Sequence, residues 1–127
     1  MANTQAMCTS FKGELLVGHH NFGTGVVRAA TTADTFKAAL YLASATINAS
    51  TTAYTATGEV SGTGYSAGGV TITNATAPAT SGTTAYWTPS ASITFSSVTL
   101  STAFDCVLIY NSTQSNKAVS VHTFGSQ

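Results

Sequence analysis

Hydrophobic and polar positions alternate along several short stretches of the chain, and a period of two residues is typical of β-strands. The clearest early stretch is Asp34–Leu42, whose apolar side chains on one side are Phe36, Ala38, Leu40 and Leu42. Gly69–Thr73 restores the alternation after a run of glycines, and Thr84–Thr88 and residues 93–100 follow it. We predict strands in these stretches. A bulge or change of face is expected near Ser96–Ser97, because the pattern shifts there by one residue.

The most hydrophobic segment lies near the end of the sequence and predicts a β-hairpin. Ala103–Tyr110 is rich in β-branched and aromatic residues, as expected of a central strand. The turn-forming residues Asn111–Asn116 follow it, and Lys117–Phe124 then alternates again. We expect these two strands to pair and to bury Val119 and Val121, or the other face in the opposite register.

One segment near the N-terminus has a helical pattern. In Ser10–Gly18 three large apolar residues share one helical face, and a Thr-Ser pair at its start can cap the helix. Elsewhere we expect a short edge strand at Val26–Ala30. Ser44–Thr57 contains few large apolar residues and is predicted to be a connection with one helical turn, Thr51–Tyr54.

Turn residues separate the predicted strands and help to define the fold class. Glycines recur at positions 58, 62, 64, 68 and 69, and further loop sequence stands at Pro78 and Thr80–Thr83. Six or seven strands with one short N-terminal helix predict a mainly β fold. We expect an antiparallel sandwich or jelly-roll-like arrangement in a single domain over residues 1–127. Several long strands in such a fold would leave sheet edges open to neighbouring subunits.

Charged residues are rare, and this narrows the classes of function. Lys, Arg, Asp and Glu make up 6% of the chain, against about 25% in an ordinary globular domain. The formal net charge is zero, so no basic field is available to bind nucleic acid. No apolar run is long enough for a membrane-spanning helix. Ser and Thr, about 30% of the residues, must supply the polarity of a neutral surface, which suits proteins that are packed against neighbours.

The N-terminal sequence and the cysteines indicate a reducing compartment. Residues 1–8 lack the positive segment and apolar stretch of a secretory signal, so we expect synthesis in a cytoplasm. Cys8 and Cys106 lie far apart in the sequence without a CxxC spacing. Buried free thiols are the expected state, with a disulfide as the alternative.

One motif suggests catalysis. Gly64–Gly68 fits G-x-S-x-G, the nucleophile elbow that exposes a serine, here Ser66, between a strand and a helix. The residues that follow, Gly69–Thr73, have a strand pattern instead, and the chain is too short for the sheet that such an elbow needs. In a sequence this rich in Gly and Ser we interpret the match as coincidence. We therefore expect no enzymatic activity.

The remaining candidate residues do not form a recognisable metal, cofactor or acid–base site. His19 and His20 are adjacent and point apart on any regular element, and His122 lies on a different predicted strand. The carboxylates include no close pair for acid–base catalysis, and they are Glu14, Asp34, Glu59 and Asp105. We predict no catalytic, cofactor-binding or metal-binding residues.

Six aromatic residues could form a carbohydrate-binding platform if they met on one surface. They are spread along the chain, and they are Tyr41, Tyr54, Tyr65, Tyr86, Trp87 and Tyr110. Core packing or contacts between subunits would explain them at least as well.

Several stretches of the sequence resemble small structural proteins encoded by tailed bacteriophages. Together they span nearly the whole chain, and they are Thr9–Leu16, Asp34–Leu42, Thr57–Ile72, Leu108–Thr113 and Lys117–Gly125. The resemblance carries no catalytic motif. It implies a non-enzymatic virion protein made in the bacterial host cytoplasm, without separating a capsid decoration protein from a tail, neck or fibre component.

The resemblance and the composition together favour a capsid decoration, or cement, protein. Such proteins lie over capsomer junctions, often as trimers, and brace the shell through many repeated contacts. The expected partners are the major capsid protein or other virion proteins and further copies of the chain. A tail, neck or fibre subunit is the first alternative, and a host-recognition module that binds carbohydrate is the second.

Overall fold

The computed structural model describes residues 3–11, 19–23, 33–73, 79–81, 84–125 and 127. These residues form a short helix at positions 9–11 and nine strands. The strands are β1 Ala6–Met7, β2 Phe36–Leu42, β3 Gly62–Thr63, β4 Val70–Ile72, β5 Ala79–Ser81, β6 Thr84–Tyr86, β7 Thr99–Leu100, β8 Phe104–Asn111 and β9 Lys117–Thr123. Five of them make one antiparallel sheet in the order β1-β9-β8-β2-β4, while β3 pairs with β7 and β5 with β6. The predicted mainly β class, with antiparallel sheets and a short N-terminal helix, is confirmed.

The three long strands lie in the middle of the five-stranded sheet, and most side chains of β2 and β8 are buried on both faces. Leu40 of β2 lies opposite Val107 of β8, and Leu108 of β8 lies opposite Val121 of β9. A strand that is covered on both faces has a nearly continuous apolar sequence, as β8 has. The predicted central strand and hairpin are confirmed, and Val119 and Val121 are buried as expected.

Short segments cover the outer edges of the long strands. On the outer side of β9, β1 pairs with one half, and a bridge between Ala53 and Lys117 covers the other. On the outer side of β2, β4 is followed by a bridge between Glu59 and Tyr41. Edge strands of two or three residues offer few free backbone groups to another chain. The prediction that long strands leave open edges is therefore wrong for the described residues.

The prediction of a helical turn at Thr51–Tyr54 is also wrong, because this segment pairs with the edge of the sheet. The Tyr54 N–H donates to the Asn116 carbonyl at 2.9 Å, and the Ala118 N–H donates to the Thr52 carbonyl at 2.9 Å. These bonds require extended backbone beside β9. Thr and Ala have only weak local preferences, so pairing with the sheet decides the conformation of this segment.

Two other segments also differ from their predictions. The loop expected at Thr80–Thr83 is wrong for Thr80 and Ser81, which belong to β5, and its other two residues, like Pro78, lie outside the described residues. Residues 93–98 are not a strand, since a turn at Ser96–Ser97, with a left-handed φ of 54° at Ser97, interrupts the alternation. Gly62, expected in a turn, lies in β3, where a Cβ atom would collide with the Thr99 carbonyl oxygen of β7.

Aromatic residues pack on both faces of the sheet. On one face Phe22 stacks on Phe36 with ring centroids 4.6 Å apart, and Trp87 lies 5.2 Å from Phe22. On the other face Tyr54 stacks on Tyr110 at 4.9 Å. Buried aromatic side chains supply much of the stabilising apolar area in a chain of this size.

The predictions for the N-terminal part can be compared with the structure only at the described residues. A helix is present at residues 9–11, while the rest of the predicted helix to Gly18 and the predicted edge strand Val26–Ala30 lie outside the described residues. Cys8 and Cys106 are both buried, and no disulfide joins them. Burial, and then the charge of Asp105, raises the pKa of the Cys106 thiol to about 12, so this thiol stays protonated at neutral pH.

Candidate functional site

The serine of the G-x-S-x-G match lies in a turn that differs from a nucleophile elbow. Ser66 is exposed between β3 and β4, and its carbonyl oxygen accepts the Gly69 N–H at 3.0 Å. A strand, β4, follows the turn in place of a helix. A cavity of about 150 Å³ adjoins the serine, and its lining, which includes Tyr65 and Phe95, contains no acid, histidine or lysine. Among the described residues that line this cavity, none can therefore act as a general base for Ser66.

The structure places the histidines in three different environments. His19 is exposed, His20 is buried, and His122 lies on β9 with its Nε2 atom 3.0 Å from the Ser120 hydroxyl. Burial lowers the pKa of His122. Within residues 3–11, 19–23 and the other described ranges, no three His, Cys, Asp or Glu side chains are placed to hold a metal ion.

His20 belongs to a buried polar cluster that ties several segments to the end of β8. The Asn111 side-chain amide lies 3.2 Å from His20 Nδ1 and donates to Asp34 Oδ2 at 2.8 Å. The Asn21 N–H donates to the same oxygen at 3.2 Å, and the Gln114 side-chain amide donates to Asp34 Oδ1 at 3.3 Å. Since Asp34 is only 4% exposed, these contacts serve the fold rather than an accessible site.

A second polar cluster surrounds Glu59, and we call it the Glu59 cluster. The hydroxyls of Tyr54 and Tyr65 donate to the two carboxylate oxygens at 2.7 Å each, and the Gly68 N–H donates at 2.8 Å. The Tyr65 hydroxyl also accepts the Leu40 N–H of β2 at 3.0 Å. A side chain thus replaces a backbone acceptor beside β2, and the carboxylate holds the surrounding loops against the sheet.

The phenols of this cluster remain neutral hydrogen-bond donors at physiological pH. Burial, followed by the hydrogen bond to Glu59, raises the pKa of Tyr54 to about 12. Burial also raises the pKa of Tyr41, Tyr65 and Tyr110. Each of these four hydroxyls donates to a partner within the protein. The Glu59 cluster is therefore closed by internal contacts and is best understood as part of the fold.

The aromatic residues named above do not form an exposed platform. The Trp87 ring is half-buried and lies 5.6 Å from Phe36 as well as packing on Phe22. Four of the five tyrosines belong to, or lie beside, the Glu59 cluster, and Tyr86 alone is exposed, at 45%. Core packing therefore accounts for most of these rings.

An open groove lined by apolar side chains lies over β2 and β8, and we call it the apolar groove. Its volume is about 600 Å³. Leu40 and Val107, which are cross-strand neighbours, form its floor. The segment 95–100 forms one wall and Phe104 with the C-terminal residues forms the other. The described residues that line it are Leu40, Phe95, Val98, Leu100, Phe104, Val107, Phe124 and Gln127.

Backbone hydrogen bonds fix the C-terminal wall of the groove to the start of β8. The Phe124 N–H donates to the Asp105 carbonyl at 3.0 Å, and the Gln127 N–H donates to the Phe104 carbonyl at 2.9 Å. The Phe104 and Phe124 rings meet edge to face with centroids 6.2 Å apart. Phe124 is therefore held in a defined position while its ring remains 56% exposed.

The chemistry of the lining suits contact with another apolar surface. Among the described residues of the lining, none has an ionisable side chain, and Gln127 is the only polar one. Phe124 is the most exposed large hydrophobic residue in the described part of the chain. An exposed apolar surface without ionisable groups is more typical of a binding site for another molecule than of a catalytic site.

The groove was not among the features predicted from the sequence, although one signal for it was present. Phe104 stands at the start of the predicted hairpin and Phe124 at its end. Antiparallel pairing brings those two positions to the same end of the sheet. The opposite wall depends on the turn at Ser96–Ser97, where the shift in the alternation predicted a bulge or change of face but not a turn that interrupts the strand.

No protein family, curated protein or solved structure matches the chain. Among the residues that the structure describes, none forms a helix that is both long and apolar enough to cross a membrane. The function must therefore be inferred from the sequence and from the surfaces described above.

Proposed function

We propose that the chain is a non-enzymatic structural subunit of a tailed-bacteriophage particle, and specifically a capsid decoration protein that stabilises the head shell. The observation that carries this proposal is the apolar groove. The groove has a volume of about 600 Å³, and its described lining side chains are uncharged. Phe124 is exposed at its rim. Apolar surfaces without charged residues are typical of the buried centres of protein–protein interfaces.

The composition supports the same proposal. Only eight of 127 residues are Lys, Arg, Asp or Glu, so the surface offers little charge repulsion to neighbouring copies. Asp34 and Glu59 are engaged in internal hydrogen bonds, which lowers the number of available surface charges further. A protein of this kind is suited to close packing in an assembly.

The proposed partners are the major capsid protein and further copies of the chain, with a trimer as the proposed oligomer. Each copy then needs only a modest contact area, because a shell presents many equivalent positions. The proposed location is the virion, after synthesis in the bacterial host cytoplasm. Neither a nucleic acid nor a membrane is proposed as a partner, since the chain has no net charge.

The copy number of the chain in purified particles tests this function. Heads and tails would be separated, and the chain quantified in each by mass spectrometry with isotope-labelled peptides. The proposal predicts on the order of hundreds of copies, confined to the head fraction, because decoration follows the symmetry of the shell. A few copies confined to tails would overturn it in favour of a tail, neck or fibre subunit. Absence from both fractions would overturn the virion function altogether.

A further inference from the structure

The apolar groove carries a projecting side chain and a cavity on the same surface. Phe124 is one of its lining residues, and more than half of its ring is exposed. The opposite wall, with Val98 and Leu100, provides apolar side chains that a ring from another molecule can contact. Rotational symmetry lets each copy supply one ring and one cavity, so a single type of contact satisfies both.

The described lining of the groove has no ionisable side chain, and this limits the kinds of partner that it can recognise. Those side chains offer no attraction to an acidic peptide, a nucleic acid or an anionic lipid surface. A matching partner should present apolar groups and little charge. The chain itself has these properties, with 6% charged residues and Phe124 exposed.

The area that a stable contact requires indicates how far the interface must extend. An ordinary interface buries about 800 Å² per partner, which is roughly a ninth of the 6940 Å² accessible surface of the chain. One phenylalanine supplies at most about 200 Å². The contact must therefore extend beyond the Phe124 ring and the two walls onto the surface around the groove.

We infer that Phe124 of one copy inserts into the apolar groove of a second copy and forms the contact between subunits. This inference rests on the proposed function, because it assigns residues to the self-association proposed there. The inserted ring packs between Phe95, Val98 and Leu100, and the two Phe104–Phe124 walls lie against the partner. Repetition around an axis gives a closed oligomer whose measured mass reports the number of copies.

The first test compares two variants that place the same charge on different exposed hydrophobic residues. Phe124→Glu puts a carboxylate into the inferred contact, and Met7→Glu puts one on β1, where Met7 is 49% exposed and does not line the groove. Sedimentation equilibrium over a range of concentrations gives the dissociation constant of each. We expect the wild type to associate, Phe124→Glu to weaken association at least about tenfold, and Met7→Glu to match the wild type.

Two results of this experiment would overturn the inference. One is a wild type that remains monomeric up to millimolar concentrations. The other is a Phe124→Glu variant that is folded by circular dichroism yet associates like Met7→Glu. If Phe124→Glu is not folded, Phe124→Ser serves in its place, since it removes the ring without adding charge.

A cross-linking experiment tests the pairing of the two surfaces independently. Chains with Gln127→Cys, which keep the Phe124 ring, are mixed with longer, tagged chains with Val98→Cys and then oxidised. The native cysteines are buried and should not react. We expect a disulfide-linked species containing one short and one long chain. The same amount of product from a Met7→Cys and Val98→Cys mixture would contradict the inferred contact.

The failure of this inference can be distinguished from the failure of the proposed function. Head particles that contain the chain in high copy number, together with a monomeric wild type in solution, would remove the contact at Phe124 and leave decoration standing. A chain that associates through Phe124 but is absent from particles would overturn the decoration function and leave the contact at Phe124 standing. A dimeric rather than trimeric mass would retain the contact and correct the proposed oligomer.

Discussion

The Glu59 cluster and the apolar groove lie close together but differ in how their side chains are satisfied. The cluster is closed by contacts within the chain, whereas the groove leaves apolar surface exposed. Tyr65 connects them, since its hydroxyl donates to Glu59 while its ring stacks on Phe95 of the groove at 6.1 Å. In the cluster every phenol has a partner within the chain. In the groove Phe124 remains largely exposed. The polar groups therefore stabilise the fold, and the uncovered apolar groups are available for association.

The largest effect on stability is expected from removing the centre of the Glu59 cluster. Glu59→Ala leaves two phenols and the Gly68 N–H without their acceptor. We expect the free energy of unfolding to fall by about 3 kcal/mol, because hydrogen bonds to a charged group are the strongest in the cluster. Urea denaturation at pH 7 measures this change.

Glu59→Gln is the matched control for that substitution. Its amide oxygen can still accept a hydroxyl hydrogen, so the loss should be about half as large. A loss below about 0.5 kcal/mol for Glu59→Ala would show that the cluster does not contribute to stability as we describe.

Tyr65→Phe is expected to lower the free energy of unfolding by less than Glu59→Ala does. This change keeps the ring on Phe95 but removes the hydroxyl that accepts the Leu40 N–H. Leaving that N–H of β2 without a partner should lower the unfolding free energy by about 1–3 kcal/mol. Tyr86→Phe, at an exposed position on β6, is the control and should change it by less than about 0.5 kcal/mol. Equal effects of the two substitutions would contradict the role of Tyr65.

Alkaline pH should weaken the Glu59 cluster before it affects the groove. The pKa of Tyr54 is raised from 10.0 to about 12 in the folded chain. A raised folded-state pKa stabilises the protein fully below pH 10, and this contribution is lost as the pH rises through 12. Unfolding free energies measured from pH 8 to 12 should decline above pH 10, with a smaller decline in Tyr54→Phe. An identical decline in the two proteins would exclude Tyr54 as a cause.

The smallest effect on stability is expected in the groove. Phe124→Ser removes a side chain that is 56% exposed and meets the Phe104 ring edge to face, so the unfolding free energy at low protein concentration should fall by no more than about 1 kcal/mol. Thermal unfolding at two concentrations separates this from association, because only an associating chain becomes more stable on concentration. A large loss of stability at both concentrations would show that Phe124 serves the fold instead.

The best-predicted part of the fold is the part whose pattern and packing agree. Asp34–Leu42 alternates and Ala103–Tyr110 is apolar except at Asp105, and both become central strands. The prediction failed where short contacts decide the conformation. Residues 51–54 lie beside β9 because they form backbone hydrogen bonds with the sheet. A Thr-rich sequence does not predict such bonds. Residues 93–98 alternate like a strand but are interrupted by the left-handed Ser97.

The candidate site was harder to predict because it is built from distant segments. The 95–100 wall and the Phe104–Phe124 wall meet only after the sheet has formed. Glu59 offered a weak signal, as one of only four acidic residues and flanked by Tyr54 and Tyr65. The absence of a signal for catalysis or metal binding in the sequence left composition as the main guide to function.

The most direct test of the account is the binding of purified chain to phage heads that lack it. Heads from a deletion phage are mixed with increasing amounts of wild-type chain, sedimented, and analysed for bound protein. We predict saturation at a fixed number of copies set by the symmetry of the shell, and weaker binding of Phe124→Glu. Heads that sediment without the chain at any concentration would contradict the central claim.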